Sequence, residues 1–331
     1  MAATILDVAK LCGYSKATVS RAFASPEQVS EKARNKIYQA AQQLNYTPDA
    51  IARAMVRGRT DNIGFIIYEK QYPVVMNPFY SPIFESVMQT CGRKGYSLFI
   101  SSHGDLRLPN GKTFVKKQLD GVILAGHSDE RLVTDLRHQN MPVVLLNNEL
   151  DMEDLTCITT DQYGGAALAM RHLMEKGHRR IGLIAGKFSP HVYLSRYNAY
   201  REILAENDCE LDPRLIQTIE PTVEEAIKSA QRLLALEQRP TALFCTNDTI
   251  AIGAMKAILR AGLRIPEDVA VVGYDDSENS RMIEPELTTV QVDKTAMGRI
   301  AAERLIALIE GEAPRKETIQ TAVKLIVRGS T

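Results

Sequence analysis

Tryptophan is absent from this 331-residue chain, and aromatic residues make up only 6% of it. Neither sign of charge is in excess: 40 Lys and Arg stand against 40 Asp and Glu. No apolar run approaches the roughly 18 residues needed to cross a bilayer as a helix, so no membrane span is expected. The first residues show no basic segment followed by an apolar stretch; no secretory signal is read there, and a cytoplasmic location is expected. Cysteine is scattered, at Cys12, Cys91, Cys157, Cys209 and Cys245. With no Cys-x-x-Cys pair and no Cys/His cluster, neither a disulfide framework nor a metal site is expected, and no cofactor is implied. A Gly-x-Gly-x-x-Gly turn, a P-loop, a Gly-x-Ser-x-Gly elbow and a His-Glu-x-x-His helix are all missing, so no catalytic constellation is found. His178 follows a helix-ending glycine and reads as structural, while His103, His127 and His191 stand alone.

What is present fills a core. Residues of the AVILMFWYC set make up 45% of the chain and charged residues 24%, a balance that excludes disorder. At roughly 100–200 residues per domain the length fits two or three domains. The neutral total hides a split. Residues 1–60 hold nine basic side chains and four acidic ones, leaving 31 basic against 36 acidic in the remainder. A basic head on an acidic body fits a head that meets a polyanion, although a solvated charged face would look the same by count alone.

The pattern decides. Thr4 is placed to cap a first helix with Asp7 as its capping-box partner, and Ile5, Val8, Ala9 and Cys12 recur at helical spacing. Gly13 ends that helix and Ser15 caps a second, Lys16 to Ala24, with Val19 and Phe23 inward. A third helix runs from about Ser30 to Leu44, with Ala33, Ile37, Tyr38, Ala41 and Leu44 inward. Two helices around a glycine turn, the second with a basic outer side, form a helix-turn-helix whose second helix fits the DNA major groove. Arg21 is assigned to a guanine edge, and Lys16 and Ala17 to base edges or a thymine methyl. Thr18 and Ser20 are assigned to phosphates, and Ser15 belongs to the same DNA-facing set. Next comes a linker with Thr47 as cap, Pro48 at the first helical position and Gly58 as stop. The nine residues Asp49–Arg57 are too few for a helix stable by itself. This segment is either an ordinary docked linker or a hinge that folds when two copies pair on DNA, with Met55 wedged into the minor groove.

The body reads as alternating strand and helix. Strands are expected at Ile63–Tyr68, Ser97–Ser101, Gly121–Ala125, Val143–Leu146, Ile181–Ala185, Ala242–Thr246 and Val269–Tyr274. Three intervening helices end at Gly95, Gly177 and Gly262. The class is therefore an all-α head plus an α/β body of two doubly wound lobes, with crossings near Thr160 and Val290. The stretch Gly104 to Lys117 reads poorly, and its start is taken as a loop. The divisions are 1–46 for the head, 47–60 for the hinge and 61–331 for the body. Its first lobe takes about 61–160 and 291–320, and its second about 161–290 and 321–331.

Ligands of open parallel sheets bind beyond the strand carboxyl ends. The residues found there are Asn147 and Asn148, Asn247 and Asp248, Asp275 and Asp276, with Phe79, Tyr80, Phe188, Tyr193 and Arg196 further on. Amides, carboxylates, a guanidinium and aromatic rings suit a small polyhydroxylated ligand such as a sugar. Each has a structural alternative. Asp248 reads as the cap of the helix Thr249–Ala261, Asp276 as a turn cap, Asn147 as a loop holder and Phe79 as core beside Ile83 and Val87. Arg196, Asn247 and Asp275 are preferred as ligand contacts.

Taken in order, several blocks resemble the lactose-repressor/galactose-repressor (LacI/GalR) family of bacterial transcription regulators. They are Ile5-Leu6-Asp7-Val8-Ala9-Lys10, Ser15-Lys16-Ala17-Thr18-Val19-Ser20-Arg21, Tyr46-Thr47-Pro48, Asn77-Pro78-Phe79-Tyr80, Thr246-Asn247-Asp248, Val272-Gly273-Tyr274-Asp275-Asp276 and Leu287-Thr288-Thr289-Val290. The resemblance spans essentially the whole chain. It implies a homodimer binding a near-palindromic double-stranded DNA operator, and a periplasmic-binding-protein-like body holding a small effector between its lobes. It places base reading on Lys16, Ala17 and Arg21, the hinge wedge on Met55 where the family has Leu, and effector contacts on Phe79, Tyr80, Asn147, Arg196, Asn247 and Asp275. The family's purine-binding member has polar contacts at the positions of Pro190 and Val192, which argues against a purine. The long loop Glu69 to Met76 and the short Gly104–Lys117 segment depart from the family pattern, and no leucine heptad follows Val327. The competing classes are an exported solute-binding protein and an α/β enzyme acting on a sugar-like metabolite.

Overall fold

The computed structural model describes residues 3–24, 26–46, 59–68, 73–104, 119–187 and 190–331. Residues 47–58 of the hinge, with Met55, residues 69–72 of the long loop, 105–118 of the short segment and Phe188 lie outside the described residues.

The head has three helices: α1 Ile5–Cys12, α2 Lys16–Ala24 and α3 Glu31–Gln43. Thr4 and Asp7 form the capping box, with the Thr4 amide donating to Asp7 Oδ2 at 2.8 Å. Gly13 closes α1 at φ 72°, and the Thr18 amide donates to Ser15 Oγ at 3.1 Å to start α2. The core is Val8, Cys12, Val19, Ala22, Ile37, Ala40 and Ala41. It differs in part from the expected inward set. Ala22 replaces Phe23 as the second fully buried residue of α2, and Tyr38 stays 38% exposed. Tyr38 covers the core edge instead: its hydroxyl donates to Ala22 O at 3.0 Å and its ring lies 5.3 Å from that of Phe23. With a small residue at the helix contact, α2 and α3 pack closely and the two rings close the rim.

The body contains two sheets of six strands. The first holds β1 Asn62–Ile67, β2 Ser97–Ser102, β3 Gly121–Ala125, β4 Val143–Leu146, β5 Thr156–Thr160 and β11 Glu317–Thr321. The second holds β6 Ile181–Gly186, β7 Ile216–Ile219, β8 Ala242–Cys245, β9 Ala270–Asp275, β10 Thr288–Val292 and β12 Val323–Ile326. Their orders are β11-β5-β4-β3-β1-β2 and β12-β10-β9-β8-β6-β7, and every pairing is parallel except β10 with β12. Central strands such as β3, β4, β6 and β8 are buried along their whole length, as continuous apolar runs between helical layers must be. The helices are α4 Tyr80–Arg93, α5 Glu130–Arg137, α6 Gln162–Glu175, α7 Pro190–Glu206, α8 Val223–Leu234, α9 Asp248–Arg260 and α10 Lys294–Ile309.

The chain passes between the sheets at Asp161, Asp293 and Ala322, so Gln291 and Val292 lie in the second sheet and Thr321 in the first. Five strands escaped the sequence reading. Two of them, β5 and β10, are rich in buried threonine rather than aliphatic residues. The other three, β7, β11 and β12, are edge strands, partly exposed along most of their length.

After the second passage α10 returns to lie against α4 of the first lobe. A Cβ on Gly298 would stand 2.4 Å from Ile83 O and 2.8 Å from Ser86 Cβ. Beside this contact Ser86 Oγ donates to Thr295 O at 2.7 Å. Gly298→Ala is expected to destabilise the body by about 1–3 kcal/mol, since a backbone carbonyl cannot yield as a flexible side chain can. Gly92→Ala, in α4 with nothing within 4 Å of its added methyl, is expected to stabilise by up to about 1 kcal/mol. Urea denaturation of both variants checks the opposite signs.

Candidate functional site

Parallel strands deliver their carboxyl ends to one edge of each sheet, and the passages bring the two edges together around one cavity of about 810 Å³. All six residues expected to contact an effector line it: Phe79, Tyr80, Asn147, Arg196, Asn247 and Asp275. Tyr68 after β1, His127 after β3, Lys187 after β6 and Glu220 after β7 line it too. The strand-end rule that found Asn147 reaches three of these as well. Glu220 was hidden because β7 was not recognised. Tyr193, also read as a cleft candidate, instead packs half-buried against the core and stacks on Tyr197 at 5.8 Å.

On the first lobe, Asn77 Oδ1 accepts from the amides of Phe79 and Tyr80, at 3.0 and 3.1 Å, and sets the start of α4. The Phe79 and Tyr80 rings meet edge to face at 5.0 Å. Asn147, at φ 54°, donates its Nδ2 to the Tyr80 hydroxyl at 3.0 Å. Burial pushes the Tyr80 phenol up to about 12, so it stays a neutral donor. Asn148 turns away, donating to Ser128 O at 3.0 Å.

On the second lobe Arg196 is only 4% exposed. Its Nε and Nη2 donate to Gln162 Oε1 at 2.9 and 2.7 Å, its Nη1 donates to Thr246 O, and its guanidinium lies 3.6 Å over the Tyr274 ring. The residue preferred as a ligand contact therefore also ties α6, α7 and β8 together. The capping role read for Asp248 falls to Asn247, which also keeps its expected place at the cavity. Asn247 is the cap of α9, its Oδ1 accepting from the Ile250 amide at 2.8 Å, while it still faces the cavity. Asp248 is 1% exposed, and accepts from Thr289 Oγ1 and the Ser277 amide, both at 2.6 Å. Burial raises its carboxyl to about 6. Asp276 is no simple turn cap: it gathers Arg328, Gln291, Arg281 and Ser280. Burial raises its carboxyl, but these donors outweigh burial and hold it down at about 2.

Asp275 is 8% exposed, and its carboxylate has no hydrogen-bond donor among the described residues. Burial pushes it up to about 7, with the Arg196 charge opposing, Asp248 reinforcing and Lys294 opposing. A carboxyl so placed can accept or donate a hydrogen bond, according to its protonation. Lys187, whose direction the sequence left open, faces the cavity and sits 4.0 Å from Glu220. The charges on that rim cancel.

In the head, Ser15, Lys16, Ala17 and Arg21 are exposed on α2 while Thr18 and Ser20 are half-buried. The Ser15 and Thr18 hydroxyls lie 2.9 Å apart, so this pair orders the front of the helix. Lys16, Ala17 and Arg21 therefore project together from the face opposite Val19 and Ala22.

A helix-turn-helix head joined to a two-lobed ligand-binding body defines a DNA-binding regulator under the control of a small molecule. Residues 4–49 match the bacterial regulatory proteins of the lacI family, and residues 170–331 match the periplasmic binding protein-like domain. The chain is 32% identical to the HTH-type transcriptional repressor PurR of Mannheimia succiniciproducens, over 99% of this chain and 98% of that one. It is 33% identical, over the same shares, to the ribose operon repressor of Haemophilus influenzae. Among solved structures it is similar to the transcriptional regulator CelR–cellobiose complex (TM-score 0.75, 29% identity, 99% of this chain and 100% of that one). It is likewise similar to the lac repressor dimer bound to operator and the anti-inducer ONPF (TM-score 0.80, 25% identity, 100% and 99%). The chain belongs to the lacI family of bacterial regulatory proteins, and is a transcriptional regulator rather than an enzyme.

The Asp275 carboxyl has a pH consequence. Burial pushes it up to about 7 in the folded chain, against about 3.9 for a solvated aspartate. Between these limits the folded state binds more protons than the unfolded state, so stability falls as pH rises from about 4 to about 7 and stays lower above. Asp275→Asn is expected to reduce that slope and to stabilise the protein at pH 8 by roughly 1–3 kcal/mol. Thermal denaturation at pH 5 and pH 8 checks it; an Asn variant that melts lower at pH 8 would contradict the assignment.

Proposed function

We propose that this regulator is a homodimeric repressor whose affinity for a near-palindromic operator is set by an uncharged, polyhydroxylated effector of sugar type in the cleft. The observation that carries the reading is the Asp275 carboxyl, buried at the cavity wall with no donor among the described residues, in a lining shared with Arg196, Asn147 and Asn247. Vicinal hydroxyls supply donors to the acid and acceptors to the guanidinium, and the Phe79 and Tyr68 rings cover apolar sugar faces. The mutual pairing of Lys187 and Glu220 favours a neutral sugar over a phosphorylated one. A purine is the second reading, since relatives carry the name PurR. The apolar Val192 at the cavity argues against it.

In this reading effector binding changes the angle between the lobes, shifts the two ends near Gly58–Asp61 in the dimer and so alters how the hinge segments pair on DNA. Lys16, Ala17 and Arg21 read bases, Ser15, Thr18 and Ser20 hold the backbone, and Met55 wedges into the minor groove. The protein acts in the bacterial cytoplasm, on the nucleoid.

Selecting an operator from a randomised two-fold symmetric library, then screening sugars, sugar phosphates and purines by thermal shift, tests both halves. Arg21→Ala is expected to relax preference at one base pair per half-site and cost about 1–3 kcal/mol on the selected operator. An equal loss on random DNA would count against base reading. Arg196→Ala and Asp275→Asn are each expected to abolish the change in operator affinity that the sugar causes. They separate site from scaffold, because the first also lowers the melting temperature and the second raises it at pH 8. A sugar-dependent change in operator affinity that survives in both variants would remove these residues from the site.

A further inference from the structure

The group beneath Asp275 comes from the other side of the lobe passage. Lys294 is the first residue of α10, directly after the passage residue Asp293, whose side chain accepts from the Ala296 amide at 2.9 Å to cap that helix. It is only 9% exposed. Its ammonium donates to Asp275 O and, at 3.3 Å, to Asp276 O. These two residues have φ of 109° and 46°, a consecutive non-glycine pair in the left-handed region. Such a pair persists only where its surroundings hold it. Two carbonyls converging on one buried cation provide that hold.

The arrangement has a counterpart at the first passage. Asp161 caps α6 through the Gly164 amide at 2.7 Å, and the next residue, Gln162, takes both Arg196 contacts on its Oε1. Its Nε2 reaches Asn147 Oδ1 at 3.5 Å. At each of these passages the first residue of the following helix is buried and polar and grips a cleft residue. Lys294 differs in carrying charge, and in belonging to a helix packed on α4 of the opposite lobe.

We propose that Lys294 is a positioning residue for effector recognition: it holds the Asp275–Asp276 turn so that the Asp275 carboxyl faces the cleft, its ammonium favours the charged form of that acid, and it links the acid to the lobe passage. This rests on the reading of Asp275 as an effector contact. A lysine that only satisfied two buried carbonyls would fix the turn without governing the charge of the acid. The charged and titratable groups facing Asp275 are Arg196 on α7, Asp248 on α9, Tyr80 on α4, Tyr274 on β9 and Lys294 itself. Arg196 is already engaged by Gln162 and Thr246, and Asp248 has the same sign as Asp275. By linkage, effector binding at Asp275 and the position of α10 must then bias each other equally.

The test is a carboxyl carbon NMR titration of the full-length protein labelled at aspartate, with the Asp275 resonance assigned by its loss in Asp275→Asn. Lys294→Met is expected to raise the Asp275 midpoint by up to about one pH unit, and Lys294→Arg to restore it. Lys294→Gln, which keeps a donor without the charge, is expected to follow Met and serves if the Met variant does not fold. A midpoint that stays at the wild-type value in Met or Gln overturns the proposal, whatever happens to the melting temperature. No effector is needed for this measurement. Failure of the effector reading appears separately, as a sugar-dependent change in operator affinity that survives Asp275→Asn.

Discussion

A parallel strand can be followed by another only after the chain has crossed back over the sheet, so every carboxyl end falls on one edge. That constraint, applied to two sheets joined at Asp161, Asp293 and Ala322, makes the cleft. No residue between the lobes is there because its neighbour in sequence is. Tyr80, Asn147, Arg196 and Asp275 come from α4, the end of β4, α7 and the end of β9, and meet because the topology brings strand ends to one place. The same constraint explains why the passages matter. The edges face each other only as the passages allow, and buried residues at two of them grip the cleft.

The electrostatics of the floor follow from crowding these ends together. Asp248 and Asp275 are both buried, and neither enjoys the donors that bring Asp276 down to about 2. Asp276 shows what a fully served carboxylate looks like in this fold: Arg328, Gln291, Arg281 and Ser280 surround it, and it holds β9, β10 and the segment after β12 together. Its neighbour in sequence is left without donors. Among the described residues no donor reaches the Asp275 carboxyl, and its burial carries a cost in stability once it is charged. That contrast between adjacent residues separates site from scaffold more sharply than cavity size does.

Much of this was legible in the sequence, and the reasons differ by region. The head reads well because its signals are local: Thr4 with Asp7, Gly13, and Ser15 ahead of an apolar pair. Its error, Phe23 taken for core in place of Ala22, arose because spacing gives the inward face but not how closely two helices approach. The body reads well where strands are buried on both faces and poorly where they are threonine-rich or lie at an edge. The cleft residues on recognised strand ends were found, while Glu220 followed a strand that was missed. The cap was assigned to Asp248 rather than Asn247 because both can cap, and only the tertiary partners Thr289 and Ser277 decide which one is free to do so. Gln162 and Lys294 carried no motif. Their roles exist only once the passages are known.

The remaining question is how a change in the cleft could reach the head, and the first residues of the body bear on it. The amides of Thr60 and Asp61 donate to the Asp120 carboxylate, at 2.8 Å to Oδ1 and 2.7 Å to Oδ2, and Thr60 Oγ1 adds a bond of 2.8 Å. Asp120 directly precedes β3, a central strand of the first sheet. Arg59 lies over the Tyr96 ring, which precedes the edge strand β2. The chain entering the body is thus anchored to two strands of the first lobe within three residues of its start. An anchor of this kind leaves no slack: a rotation of the first lobe displaces residue 60 as part of the lobe. A flexible entry would absorb the motion and leave the head indifferent to the cleft. The polar clamp at Asp120 therefore ties the start of the body to the first lobe.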